Sequence, residues 1–73
     1  MTFKKWIIKN HIAEDNAIGD LARDINADMS FPDVRGYLRL CRYLEDMGAS
    51  DGALKAFNSA YFMYFFRERK GDD

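Results

Sequence analysis

Apolar residues recur every three to four positions along almost the whole chain, and nowhere do they alternate with polar residues for long enough to indicate a strand. This spacing is the period of one face of an α-helix. Two residues interrupt the pattern. Pro32 forces the residue before it out of the helical region, and Gly48 stands where a capping glycine would end a helix. The pattern therefore predicts an all-α fold, a compact bundle of four to five helices with short connections.

Polar residues divide the pattern into four main segments. The second covers 17–28, the third begins near Asp33, and the fourth runs to about Arg69. Side chains that accept hydrogen bonds from free backbone amides are favoured at helix starts. The predicted N-caps are Thr2, Asp15 or Asn16, Asp33, and Ser50 or Asp51. The residues predicted to share the inward faces are Phe3, Trp6, Ile7 and Asn10; Ile18, Leu21, Ala22, Ile25 and Met29; Val34, Tyr37, Leu40, Cys41 and Leu44; and Leu54, Phe57, Tyr61, Tyr64 and Phe65.

The composition fits one small folded domain rather than a disordered chain. With 73 residues, 48% of them hydrophobic, and a formal net charge of -1, the chain is too apolar and too weakly charged for intrinsic disorder. The near-neutral charge also excludes a strongly basic nucleic-acid binder. We predict a single helical domain over residues 1–70 and a disordered acidic tail over 71–73.

The numbers of cysteine and histidine residues bear on the cellular compartment of the protein and on whether it can bind a metal ion. The single Cys41 cannot form an intramolecular disulfide, and with the single His11 it cannot build a zinc site. No apolar stretch approaches the roughly 20 residues that cross a bilayer. These observations predict a cytoplasmic protein with no metal ion, no cofactor and no membrane partner.

No group of residues indicates catalysis. His11 has no evident partner for work as a general base, and Cys41 falls on an apolar helix face, where a small core residue is expected. A bundle of this size also leaves little room for a ligand pocket of about 300 Å³. We therefore predict no enzymatic activity and no small-molecule substrate. The regularly spaced acids are explained by helix capping and solubility; they are Asp15, Asp20, Asp24 and Asp28.

Several short segments follow one another in a specific order: Phe3-x-x-Trp6, Ile18-Gly19-Asp20-Leu21-Ala22-Arg23-Asp24, Asp28-x-x-Phe31-Pro32, Tyr37, Tyr43-Leu44-Glu45 and Ala56-Phe57-x-x-Ala60-Tyr61-x-x-Tyr64. In this order they resemble the YozE family of small bacterial proteins. The resemblance implies a single cytoplasmic domain with a fold of the sterile alpha motif type. The family has no established activity, so the resemblance implies no function. The chain departs from the family pattern in the fourth helix, which is aromatic from Tyr61 onward instead of acidic.

The aromatic residues at the end of the fourth helix cannot all be buried on one narrow helix face. Five of the six residues over 61–66 are aromatic. If Tyr64 faces the core, Phe62 and Phe66 point a quarter turn or more away and form one ridge. In one interpretation, the N-terminal segment covers this ridge with Ile8 or Ile12. In the other interpretation, the ridge is an exposed apolar patch of the kind that marks a partner surface.

The second interpretation leads to our first function hypothesis, a small non-enzymatic interaction module. The protein would bind itself or another protein through Phe62 and Phe66 as anchors, with Met63 as an adaptable edge contact. Aromatic anchors bury a large area and freeze few rotors. A self-dimer is the simplest version, because a two-fold contact needs only one self-complementary patch.

The alternative hypothesis is nucleic-acid binding through the basic face of the third helix. Arg35, Arg39 and Arg42 are spaced to lie on the solvent side of that helix, and arginine is suited to bidentate phosphate contacts. Binding through phosphates would depend strongly on salt. The competing interpretation is an ordinary solvated face, with Arg42 paired to Asp46 four residues later.

Overall fold

Four α-helices account for most of the chain in a computed structural model, which describes the backbone of residues 1–71 and the side chains of residues 1–67. The helices are α1 (Phe3–His11), α2 (Ala17–Ala27), α3 (Tyr37–Asp46) and α4 (Asp51–Gly71). Residues 1–71 contain no strand, and the predicted all-α fold is confirmed with four helices. The predicted disordered tail over 71–73 lies outside the described residues, except for Gly71 at the end of α4.

Local caps determine where three of the helices begin. The side chains of Thr2, Asn16 and Ser50 each accept a hydrogen bond from the backbone amide three residues later, at 3.4, 2.9 and 3.1 Å. Each bond satisfies one of the amides that a helix start leaves without an intrahelical partner. After α3, Gly48 has φ of 76°, a left-handed conformation that favours glycine. These predicted caps are confirmed, and Asn16 rather than Asp15 caps α2.

The predicted start of the third helix was wrong, because α3 begins four residues after Asp33. The carboxylate of Asp33 accepts a hydrogen bond from the hydroxyl of Thr2 and so does not cap α3. The connection is also tied to α4, since the Tyr61 hydroxyl donates to the carbonyl of Arg35 at 2.6 Å. Both contacts hold the chain in an irregular path until Gly36, which is the N-cap of α3. Because glycine has no side chain, this cap provides no side-chain hydrogen bond to the helix start.

The long helix α4 is the central element of the bundle. It contacts α1, α2 and α3, and α1 and α2 also contact each other. The interior therefore forms around one side of α4, where burying apolar side chains supplies most of the stabilisation. The buried apolar side chains are Phe3, Trp6, Ile7, Leu21, Ala22, Ile25, Phe31, Leu40, Leu44, Ala56, Phe57, Ala60 and Tyr64.

The predicted burial of Met29 was wrong, because its side chain is 94% exposed. The helical period stops before it, since Asp28 is the C-cap of α2 with an extended backbone (ψ 98°). Phe31 enters the core instead and packs edge to face on Tyr43, with ring centroids 5.5 Å apart. The spacing of three to four residues assigns a side chain to one helix face only inside the helix. It therefore does not apply to Met29, which follows the end of α2.

Three further residues assigned to the inward faces are exposed. Phe65 is 48% exposed, because its neighbour Tyr64 takes the core position. Asn10 is exposed on the surface of α1. Tyr37 is 38% exposed, although its ring stacks on that of Phe57 at 5.5 Å. In α4 the apolar stripe is therefore narrower than predicted, and more aromatic surface is left outside it.

Candidate interaction surface

The outer side of α4 carries an exposed aromatic ridge. Phe62 and Phe66 are 64% and 55% exposed, and Met63 beside them is 37% exposed. The two rings meet edge to face with centroids 5.4 Å apart, as expected for residues four positions apart on a helix. We call these three residues the aromatic surface.

The interpretation in which the N-terminal segment covers this ridge was wrong. Ile8 and Ile12 are partly buried against the core, and neither lines the surface beside Phe62. Because more than half of each outer ring contacts solvent, Phe62 and Phe66 contribute little to the interior of the isolated chain.

A groove separates the aromatic surface from α1. Its volume is about 530 Å³, and it is open to solvent. The prediction that a bundle of this size has little room for a pocket was therefore wrong, because the space lies between two helices rather than inside the core. The groove is lined by Trp6, Asn10, His11, Phe62, Met63, Phe66 and Arg67.

The wall opposite the ridge is formed by the end of α1. The ring of Trp6 is 7% exposed and meets the imidazole of His11 edge to face at 4.9 Å. The carboxamide Nδ2 of Asn10 donates a hydrogen bond to the carbonyl of Trp6 at 2.8 Å. This wall is therefore apolar at its base and polar at its rim.

A hydrogen-bonded pair holds the imidazole at this wall. Nδ1 of His11 lies 2.7 Å from Oε2 of Glu14, so His11 has the partner that we did not identify in the sequence. The hydrogen bond from His11 lowers the pKa of the Glu14 carboxyl from its usual value, since it favours the charged form. The spacing of three residues was the signal available in the sequence for this pair.

The connection after α1 is fixed by α2. The guanidinium of Arg23 donates hydrogen bonds to the carbonyls of Ile12 and Glu14, at 2.8 and 2.9 Å. Gly19 permits the close approach, because a Cβ at that position would lie 1.9 Å from the Glu14 carbonyl oxygen. The wall with His11 is therefore attached to α2 as well as to α1.

Several rings on the inner side of α4 pack around Phe3. Phe3 lies 5.3 Å from Phe57, 5.7 Å from Tyr61 and 5.6 Å from Tyr64 between ring centroids. The Tyr64 hydroxyl also donates a hydrogen bond to the carbonyl of Met1 at 2.6 Å. The inner side of α4 is thus fixed against α1, which sets the orientation of the outer side.

The predicted arginine stripe does not lie on one helix. Arg35 precedes α3, whereas Arg39 and Arg42 are exposed on it. The stripe was predicted from a helix start at Asp33, which the tertiary contacts of that residue prevent. Within residues 1–67, Arg42 forms no ion pair with Asp46, so the pair expected for an ordinary solvated face is absent.

Two further acidic side chains have hydrogen-bonded partners. Asp20 contacts the guanidinium of Arg23 at 2.5 Å, and Asp28 accepts a hydrogen bond from the Tyr43 hydroxyl at 2.6 Å. The second contact raises the pKa of Tyr43, since the hydrogen bond favours the neutral phenol. Among the described residues, no three histidine, cysteine or acidic side chains lie close enough together to hold a metal ion.

Comparison with known proteins identifies the family. The family model described as the YozE SAM-like fold matches residues 2–65, so the chain belongs to that family. No curated protein and no solved structure matches the chain. Within the part of the chain that the structure describes, no helix is long and apolar enough to cross a membrane.

Proposed function

We propose that this YozE SAM-like protein is a non-enzymatic interaction module that binds protein through its aromatic surface. The observation that carries the proposal is the joint exposure of Phe62 and Phe66 beside an open groove. Met63 lies at the edge of the same patch as a flexible contact.

The size of the patch supports this role. A phenylalanine offers about 200 Å² of surface, so the exposed fractions of Phe62, Met63 and Phe66 correspond to about 300 Å² of apolar surface. The largest apolar patch on a soluble monomer typically covers about 300–600 Å² and is often functional. At about 25 cal/mol per Å², burying each half-exposed ring contributes roughly 2–3 kcal/mol before the costs of association.

The rigidity of the surroundings supports it as well. The ridge lies on a helix whose opposite side is packed against Phe3, and the groove wall is held by the contacts of Arg23. A surface that is already ordered loses less conformational entropy on binding.

The groove lining supports binding rather than catalysis. Among the described residues that line it, none carries a hydroxyl or thiol nucleophile, and the imidazole of His11 is hydrogen-bonded to Glu14. A nucleophile beside a general base is the usual requirement for covalent catalysis. The single cysteine, Cys41, supports a cytoplasmic location.

The experiment is a capture assay with the tagged full chain as bait, because the partner is unidentified. Wild type is compared with the double variant Phe62→Ser/Phe66→Ser and with Leu38→Ser, a matched loss of an exposed apolar side chain (74% exposed) on α3. We expect the double variant to lose the bound protein, including any second copy, and Leu38→Ser to retain it. Equal capture by all three baits contradicts the proposal. Circular dichroism of each bait checks that its helices are intact.

A further inference from the structure

We infer that the groove between α1 and α4 binds a small organic anion, a molecule with an apolar ring and one carboxylate. The carboxylate accepts hydrogen bonds from the indole N–H of Trp6 and from the guanidinium of Arg67. The apolar ring lies against Phe62 and Phe66. The inference goes beyond the proposed function, because it assigns a free small molecule to the space between the aromatic surface and α1.

A buried hydrogen-bond donor without a partner points to a ligand. The side chain of Trp6 is 7% exposed, yet among the described residues its indole nitrogen donates to no acceptor. No side-chain nitrogen or oxygen in the described part of the chain is both sealed from water and unpaired, so this N–H still meets solvent. A buried tryptophan N–H usually has an acceptor. Because Trp6 lines the groove, we assign the missing acceptor to a molecule bound there.

A second donor lies at the same end of the groove. The exposed side chain of Arg67 lines the groove and forms no ion pair within residues 1–67. The rings of Trp6 and Tyr64 lie 5.6 Å apart between centroids, and Arg67 follows Tyr64 by about one helical turn. One acceptor group can therefore meet both donors. A carboxylate suits this place, because it only accepts hydrogen bonds and pairs with guanidinium in a bidentate manner.

The acceptor has to come from outside the described part of the groove. None of the described lining residues carries a carboxylate. The carboxylate of Glu14, which is bound to the imidazole of His11, does not line the groove. The groove therefore offers donors to a ligand and, among its described residues, no acidic group that would repel an anion.

The size and lining of the groove fit a small molecule. Its volume of about 530 Å³ falls within the range of about 300–1,000 Å³ that is typical of small-molecule sites. Such sites are mostly apolar with a few polar groups, as are the rings of Phe62 and Phe66 beside the donors of Trp6 and Arg67. Because only 7% of Trp6 is open, the group that reaches its N–H must be narrow, which favours the end of a short molecule over a protein surface.

The first test uses the indole N–H itself as the reporter. Trp6 is the single tryptophan of the chain, so a proton–nitrogen correlation spectrum of the isotope-labelled full chain contains one indole signal. The probe is naphthylacetate, and its neutral control is naphthylacetamide, which carries the same ring. We expect naphthylacetate to shift the indole signal in a saturable manner with a Kd of about 1 mM or below, in line with the affinity per atom of small ligands.

The neutral control separates the carboxylate from the ring. Naphthylacetamide should bind at least about tenfold more weakly, since it lacks the charge that Arg67 pairs with. An indole signal that does not move with naphthylacetate up to about 5 mM overturns the inference. Equal affinity for both probes also overturns it, because the groove would then select only the apolar ring.

The second test changes the donors one at a time. Arg67→Gln should weaken naphthylacetate binding by about tenfold and leave naphthylacetamide unchanged, whereas Arg39→Gln, a matched loss of an exposed arginine on α3, should change neither. Trp6→Phe keeps a ring but removes the N–H, and it should weaken binding in spectra that observe the ligand signals. Equal affinities in Arg67→Gln and Arg39→Gln overturn the inference, and this comparison decides the matter if Trp6→Phe fails to fold.

This inference and the proposed function can fail separately. If naphthylacetate does not bind but protein capture still requires Phe62 and Phe66, the inference is overturned and the proposed function stands. If naphthylacetate binds and requires Arg67 while capture is the same for all baits, the inference stands and the proposed function is overturned.

Discussion

The inner and outer sides of α4 carry the same kind of side chain and use it differently. On the inner side, Phe57 and Tyr64 are 0% and 2% exposed and pack around Phe3. On the outer side, Phe62 and Phe66 are more than half exposed and contact each other. The difference shows that position on the helix, not residue type, separates rings that stabilise the fold from rings that remain exposed to solvent.

The largest expected effect comes from the same truncation on the two sides. Phe57→Ala should lower the free energy of unfolding by about 3–5 kcal/mol, because it opens a cavity in a closed core. Phe62→Ala should change it by less than about 1 kcal/mol, because little buried area is lost. Urea unfolding of both variants measures the difference. Equal losses would show that the two sides do not differ in this way.

Removing a single hydroxyl from the inner side should have a smaller effect. Tyr64→Phe deletes the hydrogen bond to the Met1 carbonyl but keeps the ring in the core. The expected loss of unfolding free energy is about 1 kcal/mol, the typical contribution of one hydrogen bond. Urea unfolding measures it, and a loss as large as that of Phe57→Ala would place the hydroxyl, not the rings, at the centre of the inner side.

Much of the fold follows from local signals in the sequence. The helical period predicts the four helices, and Asn16 and Gly48 mark ends that depend only on nearby residues. The start of α3 was not predictable in this way, because the partner of Asp33 lies 31 residues away in sequence. The sequence alone does not show whether a potential N-cap residue such as Asp33 caps the next helix or binds a residue far away in the chain.

The candidate site was predictable only in part. The ridge of Phe62 and Phe66 follows from counting aromatic residues around one helix, although Phe65 was assigned to the wrong side. The groove was missed because its volume depends on the spacing between α1 and α4, which no local pattern records. The pair of His11 and Glu14 was available as a spacing of three residues.

The wall of the groove predicts a modest dependence of stability on pH. Because its hydrogen bond to His11 lowers the folded-state pKa of Glu14, this carboxylate stabilises the fold above its ordinary pKa of 4.5. That contribution is lost as the pH falls through the lower folded-state value. In a plot of unfolding free energy against pH, the fall at acid pH should therefore be smaller for Glu14→Gln than for wild type. Parallel curves for variant and wild type would mean that the pair does not form in solution.

The smallest effect is expected at the arginines of α3, which are exposed like the outer rings but are charged. Arg39→Ala/Arg42→Ala should change the free energy of unfolding by less than about 0.5 kcal/mol. We expect no binding of duplex DNA by wild type at about 150 mM salt, since few phosphate contacts are available. A fluorescence titration that shows wild-type binding, lost in the double variant, would favour the nucleic-acid hypothesis instead.

The central claim is that Phe62 and Phe66 are available for binding and are not needed for folding. Urea unfolding of Phe62→Ser/Phe66→Ser, followed by circular dichroism at a concentration where wild type is monomeric, tests it most directly. The account predicts a helical signal equal to that of wild type and a free energy of unfolding within about 1 kcal/mol of it. An unfolded variant, or a loss of about 3 kcal/mol or more, would show that the outer rings belong to the core and would contradict the account.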